Sequence, residues 1–193
     1  LSKLDVETLR KDLRETPYKN IAIADLRTFI EEKLHALLEK NVTRLKFSEH
    51  YKAIIDNYNA GSLSTEATYE ALVKFIEQMS EEEQRGHREG LSEAELELFD
   101  LLCEGKQLTL AEEKKVKLAA EELYQALLLQ KNNLMVVEWY KDPQPKSRVY
   151  DLISSELNRT LPPSYGRELF NAKVNQVFNH ILDQARTGIA WGA

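Results

Sequence analysis

An all-α fold, a multi-helix bundle with a division into two helical subdomains, is what three features of this sequence predict. Apolar residues recur at helical spacing along nearly the whole chain. Between those stripes stand the punctuation marks of helices: capping pairs, prolines and glycines. Strand-like alternation never lasts; residues 134–139 come nearest, and an isolated strand would have nothing to pair with.

Taken in order, Leu4, Leu9 and Leu13 predict a short helix stopped near Pro17. Ala22, Leu26, Phe29, Ile30, Leu34, Leu37 and Leu38 mark one face of a stronger helix that Asn41 stops. Phe47, Tyr51, Ile54, Ile55 and Tyr58 mark a third, closed by Asn59, Ala60 and Gly61, as a left-handed terminator would close it. Ser64 caps a fourth, with Leu72, Val73, Ile76 and Met79 inward. The charged run 81–89 follows, an exposed helical end or a connection. The two subdomains, 1–89 and 90–193, are expected to meet near Gly86–Gly90 or to form one continuous helical domain.

Local signals sharpen after that. Ser92 with Glu95 forms a capping box, and Leu91 with Leu96 takes the two positions of a hydrophobic staple. That helix runs through Cys103 to Gly105. Thr109 with Glu112 is a second capping box, opening a long helix with Val116, Ala119, Leu123 and Leu127 inward and Asn132–Asn133 at its end. Four of the five prolines fall between 143 and 163. Asp142 before Pro143 reads as N-cap and first helical residue, with Val149, Leu152, Ile153 and Leu157 inward. Pro162–Pro163 end that helix. Phe170, Val174, Val177, Phe178, Ile181 and Ala185 then form one stripe on a last long helix.

Composition bounds the function. At 193 residues, 42% apolar and 30% charged, the chain can bury a core and is not a disordered polymer. A net charge of −6 and a pI near 5.4 argue against a chain that grips nucleic acid over its whole surface. The balance is uneven: residues 131–193 carry eight Lys/Arg against six Asp/Glu, and the preceding part 18 against 26. The single cysteine, Cys103, on an apolar face with Phe99 and Leu102, excludes an internal disulfide and fits a reducing, cytoplasmic compartment. No apolar run reaches the length of a membrane span, and no signal-peptide pattern opens the chain. Numbering from Leu1 without a methionine suggests a piece of a longer protein.

Catalytic patterns are missing from the sequence. Gly105-Lys106-Gln107 lacks the upstream glycine and the hydroxyl of a phosphate-binding loop. Glu31-Glu32-Lys33 has the letters of a Mg²⁺-dependent nuclease element but lies on a helix. Glu32 and His35 make half of a carboxylate-bridged metal set, without the second pair that such a site needs. His50, His87 and His180 fall on separate helices with no readable nucleophile. No catalytic, cofactor or metal residue is assigned to this chain.

One aromatic and basic cluster remains: Trp139, Tyr140, Lys141, Lys146 and Arg148, with Arg159 further on. Such residues stack bases and hold phosphates, and they also anchor protein interfaces. The plainer reading is a tryptophan buried where two helices meet, with the basic residues on its wet side. As a contact surface, the corner gains from Pro143 and Pro145, which stiffen it and lower the entropy lost on binding. Val136 and Val137, just upstream, argue instead that it plugs the core.

The same stretch carries a resemblance. W-Y-x-D at Trp139, Tyr140 and Asp142, L-P-P-S-Y at 161–165, R-E-L-F at 167–170, then Lys173, Val177, Phe178 and His180 are similar to the C-terminal helical region of the restriction (R) subunit of type I restriction–modification enzymes. Asn20, Ala22, Leu26 and Arg27 resemble its N-x-A-x-x-x-L-R segment. Asn41, Arg44, Phe47, Ser48 and Glu49, with Tyr58 beyond, resemble its N-x-x-R-x-x-F-S-E segment. Leu91, Ser92, Phe99 and Asp100 resemble a further one, with Leu98 before the Phe-Asp pair. The resemblance implies an assembly module that docks the R subunit on the methylation and specificity subunits. It also implies a parent enzyme that uses ATP and Mg²⁺ to translocate and cleave DNA, through domains whose motifs this chain lacks. The alternative it leaves is a helical module that contacts DNA beside the motor.

Overall fold

Side-chain caps set where the helices begin in the computed structural model, which describes residue 11 and residues 18–187. The short helix expected over 4–15 falls, Lys11 apart, outside the described residues. The chain divides into two units, Leu1–Gly90 and Leu91–Ala193, each with its own apolar core. Every described regular element is helical, so the all-α expectation holds. Among the described residues no helix is long and apolar enough to cross a membrane.

The first unit packs α1 (Lys19–Lys40), α2 (Leu45–Asn59) and α3 (Thr65–Glu83) against one another, with the short α4 (Arg85–Glu89) following α3. Ile23, Leu26, Ile30, Leu34 and Leu37 recur every three or four residues on α1, and all are buried. They meet Tyr51, Ile54 and Ile55 of α2 and Tyr69, Leu72, Val73, Phe75, Ile76 and Met79 of α3. The Ser64 side chain accepts from the Ala67 N–H at 3.1 Å and starts α3. Gly61 takes φ 70° just past the end of α2, a left-handed conformation that favours glycine. The charged run 81–89 is helical for most of its length and ends at Gly90.

The second unit is a four-helix bundle of α5 (Glu93–Cys103), α6 (Leu110–Leu134), α7 (Pro143–Thr160) and α8 (Gly166–Thr187). Consecutive helices pack together, and α8 returns to α5 to close the ring. Both predicted capping boxes are made, at Ser92–Glu95 and Thr109–Glu112. Asp142 Oδ1 accepts from the Gln144 N–H at 2.9 Å, with Pro143 in the first turn of α7. Val116, Leu123, Val149, Ile153, Leu157, Val174 and Val177 lie fully inside. Each such side chain stabilises the bundle by about 1.5–3 kcal/mol through removal from water. The stop expected at Asn132–Asn133 comes at Leu134, with Met135 as cap.

Candidate contact surface

Residues 135–142 join α6 to α7 and, with the first turns of α7, contain the aromatic and basic corner. A 3-10 turn, Trp139–Lys141, packs on α7 and α8. Its Trp139 is only 5% exposed and belongs to the bundle core. This corrects the expectation that Trp139 helps form a contact surface. A turn laid across two helices needs an apolar plug beneath it, and the indole is that plug. Tyr140 is half-buried against the same core.

The cations of the corner stay outside. Lys141 pairs with Glu138 and lies 5.9 Å from the centre of the Tyr140 ring. Arg148 is exposed and Lys146 half-buried, both early on α7. Arg159 does not join them: at 1.5 Å per residue it lies about 16 Å further along the helix axis. There it pairs with Glu122 at 2.9 Å and Glu156 at 2.6 Å.

The corner plugs the core, as Val136 and Val137 suggest from sequence, but through Trp139 and not through the valines themselves. Val137 is 93% exposed, Val136 50%, and Leu129 on the last turns of α6 is 78% exposed. Glu138 beside them has φ 58° and ψ 22°, the sole positive φ outside glycine among the described residues. A glutamate in that region is uncommon and strained, and its turn carries the two valines away from the core while Trp139 enters it. Nothing in the periodicity foretold this exchange. The one available signal was the lack of charge: residues 132–137 contain no ionisable side chain.

The other motif residues build the fold. The Tyr165 hydroxyl donates to the Leu102 carbonyl at 2.9 Å, and Lys173 Nζ donates to the Leu101 carbonyl at 2.6 Å. Two orphan carbonyls at the end of α5 are thereby satisfied. Burial pushes the Lys173 ammonium below the usual lysine range and the Tyr165 phenol well above its own. His180 Nε2 lies 3.0 Å from Glu97 Oε2, which also accepts from Gln184 Nε2 at 3.1 Å. Lys106, from the rejected phosphate-loop pattern, donates to the Ser164 carbonyl at 3.0 Å. Cys103 is half-buried against the core.

In the first unit, Arg44 is buried with Glu82. Arg44 Nε lies 3.1 Å from Glu82 Oε1, and Arg85 Nε lies 3.2 Å from the same oxygen. The Asn41–Arg44 segment that resembles a family motif thus ties the start of α2 to the end of α3. Glu32 and His35 are exposed, and His35 pairs with Glu39 at 3.6 Å. Among the described residues no group of three or more His, Cys, Asp or Glu is placed to hold a metal ion.

Comparison with known proteins agrees with these motifs. The family described as "Type I restriction enzyme HindI endonuclease subunit-like, C-terminal" matches residues 1–188. A protein of Methanocaldococcus jannaschii, described as a type I restriction enzyme MjaIXP endonuclease subunit, is 25% identical over 150 residues. That alignment covers 77% of this chain and 14% of the relative, so the chain corresponds to a small part of the relative's length. No solved structure matches.

Proposed function

The chain belongs to the C-terminal family of type I restriction enzyme HindI endonuclease-like subunits, and from that premise we propose that it is a helical docking module. On this reading it seats the endonuclease subunit on the methylation and specificity subunits and performs no chemistry itself. ATP and Mg²⁺, with DNA translocation and cleavage, then belong to other regions of the parent polypeptide. One observation carries the reading: Val136 and Val137 stand exposed side by side just past the end of α6, in a segment without charge, and Leu129 is exposed earlier on that helix. Interface cores are depleted of charge, and apolar groups gathered on a surface mark a contact to be covered.

A second reading, contact with DNA beside the motor, draws on the exposed Lys141 and Arg148. Lys141 is already engaged by Glu138, which leaves few cations at the corner for phosphate. Salt separates the two, since phosphate contacts weaken steeply with ionic strength while apolar contacts do not. The 193-residue chain should bind the purified methylation–specificity complex without DNA and hold it in high salt. Binding that requires duplex DNA and vanishes as salt rises would establish the second reading instead.

A further inference from the structure

A cleft of 460 Å³ opens in the first unit between α2, α3 and α4. That size lies in the range of sites that take small molecules or peptide side chains, about 300–1,000 Å³. Lys46, Phe47 and His50 line one side from α2, and Arg88 of α4 lines it as well. Gln78, Glu81 and Glu82 line it from the last turns of α3.

The charges in this cleft are not what its letters suggest. Glu82 is held by both Arg44 and Arg85, so its carboxylate is already engaged. Lys46 and Arg88 are exposed, and neither has a carboxylate partner among the described residues. Lys46 Nζ instead lies 5.8 Å from the centre of the Phe47 ring. Phe47 and His50 both meet Phe75 edge-on beneath them, which fixes two aromatic walls. Leu45, immediately before Lys46, and Val42, four residues before it, are exposed apolar residues.

A polyphosphate suits this lining poorly. It would set several negative charges against Glu81 and against the carbonyl end of α3, where the helix dipole is negative. A peptide suits it better, because a peptide brings both kinds of group. One carboxylate would meet Lys46 and Arg88. Backbone N–H donors would meet Glu81 and the Gln78 amide oxygen, and an aliphatic side chain would cover Phe47. We propose that the cleft takes an acidic segment, an Asp or Glu beside an aliphatic residue, from a protein subunit of the assembled enzyme. The proposal rests on the docking reading and adds to it a second contact, in the other unit and of opposite chemistry to the valine tip.

The test is charge reversal in the 193-residue chain. Lys46→Glu with Arg88→Glu should weaken binding to the methylation–specificity complex at least tenfold, with the melting temperature unchanged. The milder Lys46→Gln with Arg88→Gln should weaken it less, and it serves if reversal disturbs folding. Lys52→Glu with Lys74→Glu, exposed positions outside the cleft, should bind as wild type. Wild-type affinity in both cleft variants overturns the cleft proposal and leaves docking standing. A wild-type chain that fails to bind the complex overturns docking and the cleft with it. Loss of ADP or duplex DNA binding, with subunit binding intact, assigns the cleft to nucleotide chemistry and also overturns the proposal.

Discussion

Glu82 and Arg44 are both buried, 38 residues apart in the chain and in direct contact. Truncating either one breaks a buried ion pair. Glu82→Ala should therefore cost about 3–5 kcal/mol in urea unfolding. Replacing both by apolar residues of similar volume should recover much of that loss, since desolvation of the pair disappears with it. Arg44 was visible in the sequence as a motif letter, but its burial was not. Periodicity reports which face a residue occupies, and a pair closed between the start of one helix and the end of another leaves no periodic trace. Glu112 differs, because its partner Thr109 is three residues away and the capping box is legible at once. What the sequence hid there is Ser164, whose hydroxyl, with the Thr109 groups, pulls the Glu112 carboxyl down from 4.5 to about 2. A carboxyl depressed in the folded state stabilises it above the unfolded value and loses that effect as pH falls. The melting-temperature gap between wild type and Glu112→Gln should be full above about pH 4.5 and close toward pH 2. A gap that stays constant across that range would mean the carboxylate charge is not what Thr109 and Ser164 hold.

At the scale of elements, the connection between α6 and α7 divides its labour within four residues. Trp139 points into the bundle and Val137 out of it. Trp139→Ala should cost about 3–5 kcal/mol, as large buried truncations do. Val137→Asp should leave stability within about 0.5 kcal/mol, because an almost fully exposed side chain has little packing to lose. Chemical denaturation of both variants checks the pair. Helix starts were readable here because caps act over three or four residues, as at Ser92, Thr109 and Asp142. The direction of Trp139 was not, because α7 and α8, which receive it, lie later in the chain. Hydrophobicity alone favoured burial for the valines as much as for the tryptophan.

For the whole molecule, the two cores share no residue, one built from α1 to α3 and the other from α5 to α8. The piece 91–193, expressed alone, should give a helical circular-dichroism spectrum and one cooperative melt. Within it, Leu123→Ala should cost about 2–5 kcal/mol, and truncation of the half-buried Phe178 less. The motif residues Trp139, Tyr165 and Lys173, which carry much of the family likeness, are buried and hold the bundle together. The surface proposed for docking lies instead on residues outside those motifs. Affinity and stability measured side by side test that separation most directly. Against the methylation–specificity complex, Leu129→Asp with Val137→Asp should bind at least tenfold more weakly than wild type while its melting temperature barely moves. Wild-type affinity in that double variant would contradict the assignment of this surface.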